Sequence, residues 1–255
     1  MAKNFLKQVM DKQPEGPIDT KKLIQVIEAG YTVKRVPEFK TKKSFSPSTL
    51  VYGNGACPRY WYLAFEGAEF VDNADPYAVA NMGSGTMAHE RIQQAITDAG
   101  IMVEKEKRIF TQDPPIFGFA DAIIQWGEEQ PVMEIKTMRD ESFSYRKFAK
   151  APNYHVMQLT IYMKVLGKKM GILLYENKNS HELHAIAVEL TPESEAWGDY
   201  AFDWMRTVRK QWESKQIPMK PYRSNSKVCK NCPIAATCVK AEKGTVKLQP
   251  LEYLE

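Results

Sequence analysis

The order of hydrophobic periodicities along this chain predicts an α/β fold, a mixed central sheet flanked by helices. Three observations carry that expectation. A long helical pattern runs from about Pro76 to Ala99 and stops at Gly100. Three strand-like segments follow it at 102–110, 116–124 and 132–138. Another helical pattern, 154–166, then precedes strands at 170–176 and 183–190 and a last helix from about Thr191 to Lys215.

At 255 residues, with 44% hydrophobic and 26% charged residues, the chain has the composition of a globular protein with a real core. The longest apolar runs fall short of the ~20 residues a membrane helix needs. The first residues, Met1-Ala2-Lys3-Asn4-Phe5-Leu6-Lys7, lack a signal-peptide apolar region, so an intracellular (cytoplasmic) protein is expected, with no membrane partner. A net charge of +4 permits a polyanionic partner without requiring one. The lysine groups Lys40/Lys42/Lys43 and Lys168/Lys169 read as solvated surface.

In chain order, residues 1–45 form a helical lead-in. Its apolar stripe is Leu23, Ile24, Val26 and Ile27, and Gly30 is the expected stop. Ser46 and Pro47 suit a helix start as N-cap and first helical residue. The segment 56–65 is rich in aromatics that read as core, and Arg59 and Tyr60 are candidates for nucleic-acid contact. On the helix 76–99, Val79, Met82, Thr86, His89, Ile92 and Ile96 define the expected inward face, so His89 is either a hydrogen-bonded core histidine or a ligand. The polar turn 127–131 joins two strands as an antiparallel hairpin. Folding about Glu128–Glu129 sets Asp121, an aspartate inside an apolar strand, opposite Lys136 or Thr137. Residues 140–152 read as an irregular loop. Thr191 and Pro192 start the last helix as cap and first-turn proline, and the tail after Cys238 reads as peripheral.

The strand Val132–Met138 holds the most informative group. Side chains alternate across a strand, so Glu134 and Lys136 share one face while Met133, Ile135 and Thr137 share the other. Alone, this is the pattern of a half-exposed strand with an ion pair. Its company changes the reading, because His89, Asp121, Gln158 and Tyr162 supply further polar groups, the last two one helical turn apart. Asp121 and Glu134 are hard oxygen ligands suited to Mg²⁺ or Mn²⁺, and His89 adds a nitrogen donor. Four cysteines complete the inventory: Cys57 alone, and Cys229, Cys232 and Cys238 as C-x2-C-x5-C. In an intracellular chain this set points to metal binding over disulfides, either zinc or a 4Fe–4S cluster.

Read in order, the strings Gly85-Thr86-Met87-Ala88-His89, Gly118-Phe119-Ala120-Asp121, Glu134-Ile135-Lys136 and Gln158-Leu159-Thr160-Ile161-Tyr162 resemble the RecB-type branch of the PD-(D/E)XK nucleases. Ala120 stands where the literal motif has proline. With Cys57, Cys229, Cys232 and Cys238 the resemblance narrows to the iron–sulfur nucleases, including CRISPR-associated RecB-like exonucleases and phage homologues. It implies a restriction-endonuclease-like core over 46–240, a C-terminal tail 241–255, and a helical segment stapled by the cluster. It also implies a metal-dependent exonuclease on single-stranded DNA, serving recombination, repair or CRISPR adaptation. Its metal would sit on His89, Asp121, Glu134 and the Ile135 carbonyl, with Lys136, Gln158 and Tyr162 completing the catalytic set. A binding or assembly protein with an inactive nuclease site is the alternative reading.

Overall fold

The computed structural model describes residues 19–33, 41–72 and 74–253. They divide into two compact units, one drawn from 1–38 and 73–84, the other from 39–72 and 85–255. In the first, helix α1 (Thr20–Val33) runs straight through Gly30. A glycine weakens a helix interior by only about 1 kcal/mol, and αL geometry, which would have ended the helix, is not adopted there. The stripe Leu23, Ile24, Val26 and Ile27 is exposed, and the Tyr77 hydroxyl donates to Glu28 Oε1 at 2.6 Å. The reading of 1–18 and of 34–40, Lys40 included, lies outside the described residues.

The second unit carries a five-stranded sheet in the order β1-β2-β3-β4-β5. Its strands are β1 (Met102–Thr111), β2 (Ile116–Ile124), β3 (Val132–Met138), β4 (Met170–Asn177) and β5 (Leu183–Glu189). Only the β3–β4 pair is parallel, because only there does a long crossover separate consecutive strands. Helices α2 (Pro47–Leu50), α3 (Pro58–Phe65), α6 (Asn153–Leu166) and α7 (Pro192–Glu213) contribute to a large core with Ile109, Ile116, Val132 and Leu173. A smaller core joins Ile92 and Ile96, on helix α4 (Pro76–Asp98), to Ala122, Met133, Ile135 and Leu174. Strand β3 thus feeds both cores by alternation, Val132 into one and Met133 and Ile135 into the other.

Helix ends follow the sequence signals where side chains support them. Thr191 Oγ1 accepts the Ser194 N–H at 3.2 Å at the start of α7, with Pro192 in the first turn. Gly100 follows α4 at φ +72°. The Ser46 side chain does not cap α2; its hydroxyl donates to Thr49 Oγ1 while its carbonyl accepts the Thr49 and Leu50 N–H groups.

Elsewhere the structure departs from the sequence reading. Residues 140–146 are a helix, α5 (Asp140–Arg146), anchored by the fully buried Phe143 and by Asn177 Nδ2 donating to Asp140 Oδ1 at 2.7 Å. Phe143 and Tyr145, two residues apart in an otherwise polar stretch, are too little helical periodicity to announce a helix. On α4, Met82 and Thr86 are exposed, and the inward face begins only at Ala88, Ile92, Gln93 and Ile96. Arg59 and Tyr60 are buried and out of reach of a nucleic acid. The Arg59 guanidinium donates to the carbonyls of Pro218 at 2.8 Å and Glu242 at 2.7 Å, and to Cys238 Sγ at 3.3 Å. The tail is tied down as well, since the indole N–H groups of Trp197 and Trp204 on α7 take the carbonyls of Glu252 and Gln249 as acceptors. Leu251 is buried and donates its N–H to Ala56 O.

Candidate active site

The site grows from a parting of two strands. The β2–β3 ladder consists of Ala122↔Met133 and Ile123↔Val132, and the hairpin closes on a two-residue turn, Gly127-Glu128, between Trp126 and Glu129. The turn centre lies one residue before the one expected from composition, which moves every cross-strand partner by two. Asp121 therefore continues the register toward Glu134 and not toward Lys136 or Thr137. The Asp121 side chain closes the gap, with Oδ2 accepting the Ile135 N–H at 2.6 Å. A main-chain ladder bond is replaced by a carboxylate at the mouth of the opening.

Helix α4 brings His89 to this point, its Nδ1 3.1 Å from Asp121 Oδ1. One turn later Gln93, buried, donates through Nε2 to the Asp121 carbonyl at 2.9 Å and to Glu106 Oε1 at 2.6 Å. Asp121 is thus held at side chain and main chain by the same helix. The hydrogen bond to Asp121 raises the His89 pKa, opposed by burial.

On the other side, Glu134 Oε1 accepts from Lys136 Nζ and from Gln158 Nε2, each at 2.7 Å. Gln158 Oε1 accepts from Lys136 Nζ at 3.1 Å, and Gln158 Nε2 also donates to the Tyr162 hydroxyl at 2.8 Å. Gln158 and Tyr162 are buried, so their polar ends act on Glu134 and Lys136. Burial, then the charge of Asp121, push the Glu134 carboxyl up to about 7 against the pull of Lys136 and His89. Burial and the Glu134 charge hold the Tyr162 phenol well above its ordinary range. The second carboxylate oxygen, Glu134 Oε2, is buried with no hydrogen-bond partner. An orphaned carboxylate oxygen is costly in a low-dielectric site unless a cation or a donor joins it.

The structure gathers His89 and Asp121 in one hydrogen-bonded group and Glu134, Lys136, Gln158 and Tyr162 in a second, and the two meet where Asp121 accepts the Ile135 N–H and where the charges of Glu134 and Lys136 act on His89. Among the described residues, however, no three His, Cys, Asp or Glu side chains stand in a metal-holding arrangement. Three neighbours went unnoticed in the sequence. Gln93 lies four residues after His89, a helical spacing that marks a shared face. Glu106 takes a positive φ of 50° on β1, between the pairs Lys105↔Ala122 and Lys107↔Ala120, and nothing in its surroundings of alternating charges announces that. His155 lies one turn before Gln158, between the hydroxyls of Tyr175 at 3.0 Å and Tyr52 at 3.1 Å, and burial followed by the charges of Lys136 and Arg146 drives its pKa down to about 3.

The sequence profile of the PD-(D/E)XK nuclease superfamily matches residues 86–239, more than half of the chain. The chain belongs to the PD-(D/E)XK nuclease superfamily. The matched span of this PD-(D/E)XK chain contains His89, Asp121, Glu134, Lys136, Gln158 and Tyr162. Its fold is also that of one exonuclease solved in two structures. An alkaline exonuclease (LHK-Exo) from Laribacter hongkongensis superposes with a TM-score of 0.51 at 14% identity, covering 68% of this chain and 91% of that one. The same exonuclease in complex with dAMP gives 0.51 at 15% identity, with 68% and 89% covered. The crystal structure of SSO0001 gives 0.44 at 19% identity, over 86% of this chain and 95% of that one. A comparison with curated proteins finds no match. Among the described residues no helix is long and apolar enough to cross a membrane.

The four cysteines lie apart from this network and line one cavity of about 70 Å³, together with Tyr60, Tyr222 and Ile234. Segments almost two hundred residues apart in sequence meet there. Burial pushes the Cys57 thiol up to about 12 and raises that of Cys232. The thiols are free and are not drawn together as ligands of a common metal.

Proposed function

We propose that this PD-(D/E)XK nuclease is a divalent-metal-dependent exonuclease that hydrolyses phosphodiester bonds of single-stranded DNA. The observation that carries the reading is the buried, partnerless Glu134 Oε2 beside Asp121 and Lys136. The donor set fits Mg²⁺ or Mn²⁺: two carboxylates, an imidazole and the adjacent main-chain carbonyl of Ile135. Asp121, Glu134, Ile135 and His89 would hold the ion, which supplies charge neutralisation for the phosphate and a more acidic water.

The chain's own groups do the rest. Lys136 has three N–H donors and spends two of them on Glu134 and Gln158. The third is left for a phosphate oxygen, where the ammonium offsets charge that builds as water attacks phosphorus and the sugar oxygen departs with a proton. Gln158, itself bonded to Tyr162, fixes both Glu134 and Lys136, so the pair meets the substrate already oriented. Gln93 and His89 hold Asp121 against Ile135.

The finer assignment, to the RecB-type iron–sulfur branch with a nuclease domain over 46–240, is supported by the four thiols that line one cavity. Cys57, Cys229, Cys232 and Cys238 would hold a 4Fe–4S cluster. As thiolates at a site where burial raises thiol pKa, they need a cationic partner. The cluster would tie the segment around Cys57 to residues 229–238. Preference for an exonuclease draws on the fold shared with an alkaline exonuclease that has been crystallised with dAMP. In this reading the protein works in the cytoplasm of a prokaryotic or phage-infected cell, in recombination, repair or CRISPR adaptation. Digestion of end-labelled single- and double-stranded DNA in Mg²⁺ or Mn²⁺ tests it. Stepwise shortening of the single strand is expected; binding of DNA without degradation in any divalent metal would mean an inactive site in a binding or assembly protein.

A further inference from the structure

A chain of three side chains beside the catalytic groups runs from the core toward the surface. His155, buried on α6, lies with Nδ1 3.0 Å from the Tyr175 hydroxyl and Nε2 3.1 Å from the Tyr52 hydroxyl. Its pKa of about 3 keeps the ring neutral, and a neutral imidazole has one N–H donor and one acceptor. The three groups can therefore be ordered in only two directions. If Nδ1 donated to Tyr175, the Tyr175 hydroxyl hydrogen would need another acceptor. Tyr175 is fully buried, and among the described residues its hydroxyl has no hydrogen-bond partner but His155. Arg146, whose charge acts on Tyr175, is a donor only. A buried donor without an acceptor is costly. The favoured direction has Tyr175 donating to Nδ1 and Nε2–H donating to Tyr52. The hydrogen left over then belongs to Tyr52, which is 43% exposed and can offer it to a ligand.

The surroundings of Tyr52 select that ligand. Tyr175 pairs in register with Lys136 across the parallel β3–β4 ladder. Tyr154 lies one helical turn before Gln158, whose side chain touches Lys136, and the Tyr154 ring packs against that of Tyr52 at 4.8 Å. The charge of Glu134 acts on Tyr52, and those of Lys136 and Arg146 act on His155. A free O–H donor near two cations suits an anion that carries acceptor oxygens and no donor. A phosphodiester has that chemistry, and a strand held at Glu134 and Lys136 brings one with every nucleotide.

We propose that Tyr52 is a substrate-positioning residue whose hydroxyl donates to a phosphate oxygen of the bound strand, with His155 and Tyr175 fixing its direction. The proposal rests on the nuclease reading for its ligand, so binding and cutting are measured separately. The ¹⁵N shifts of the four imidazoles test the direction first. His155 should carry its proton on Nε2, and a proton on Nδ1 would overturn the proposal. Affinity for a single-stranded oligonucleotide is then measured by fluorescence anisotropy, with Ca²⁺ in place of Mg²⁺ or Mn²⁺ and an uncharged methylphosphonate at each linkage in turn. Tyr52→Phe should weaken binding of the unmodified strand roughly 10- to 100-fold, the weight of a hydrogen bond to a charged group. At one linkage the methylphosphonate should weaken wild type and cost Tyr52→Phe nothing further. His155→Gln, which keeps an N–H donor at the Nε2 position, should bind as wild type does. His155→Leu, once shown to be folded, should approach Tyr52→Phe. Equal affinity of Tyr52→Phe and wild type, or parallel losses at every linkage, overturns the proposal even if wild type cuts DNA in Mg²⁺ or Mn²⁺. A wild type that binds no strand overturns it as well. A wild type that binds through a Tyr52-dependent linkage yet never cuts would refute the nuclease reading and leave the proposal standing.

Discussion

Glu134→Gln separates the cost of the buried carboxylate from its use. In the folded protein the Glu134 carboxyl titrates at about 7, against an ordinary 4.5, with burial as the main cause. Between those values the folded state keeps a proton that the unfolded chain has released. Stability contributed by this group is therefore full below ~4.5 and is lost as pH rises through about 7. At ~1.4 kcal/mol per pH unit the gap amounts to about 3 kcal/mol. Glutamine retains an oxygen for Lys136 and Gln158 and carries no charge. At pH 8 in EDTA the variant should be more stable than wild type by up to ~3 kcal/mol, a rise in Tm of roughly 6–12 °C for a chain of this size. Near pH 4.5 the two should coincide. Mg²⁺ or Mn²⁺ should close the gap by stabilising wild type, about 2.7 kcal/mol at a hundredfold excess over Kd, and reverse the order at a thousandfold excess, where the gain is about 4.1 kcal/mol, with little effect on the variant. Thermal unfolding from pH 4.5 to 9, with and without metal, reads both effects. Parallel pH curves for the two proteins, or equal metal shifts, would refute the reasoning.

Other outcomes follow from residues outside the carboxylates. Arg59→Leu strips the Pro218 and Glu242 carbonyls of their donor and should destabilise the chain by at least ~2 kcal/mol, read by urea unfolding. Wild type purified without oxygen is expected to be brown and to carry iron by elemental analysis, and Cys57→Ser to lose both; zinc without iron in wild type would contradict the cluster assignment. Phe143→Ala should cost about 3–5 kcal/mol, or release α5 locally, measured by hydrogen exchange over 140–146.

The parts of this molecule that were legible in its sequence are those where one local signal decides. Alternation put Glu134 and Lys136 on one face of β3, and the salt bridge between them at 2.7 Å agrees. Helical spacing paired Gln158 with Tyr162, and Thr191-Pro192 marked the start of α7. What was not legible depends on several segments at once. The hairpin register turned on which two residues of a polar run form the turn, and one residue of error exchanged Glu134 for Lys136 as the neighbour of Asp121. Arg59 sits among aromatics and suggested a surface contact, yet its partners are carbonyls 159 and 183 residues away. Gln93 bonds a main-chain carbonyl, which has no sequence signature at all.

The central claim is that Glu134 and Lys136 belong to a working metal-dependent nuclease centre. Its most direct test is hydrolysis of end-labelled single-stranded DNA by wild type, Glu134→Gln and Lys136→Ala side by side in Mg²⁺ and in Mn²⁺, each protein first shown to be folded. Wild type should shorten the strand and both variants should be slower by ~10²-fold or more. Intact DNA with wild type in every metal, or variants that cut at the wild-type rate, would contradict it.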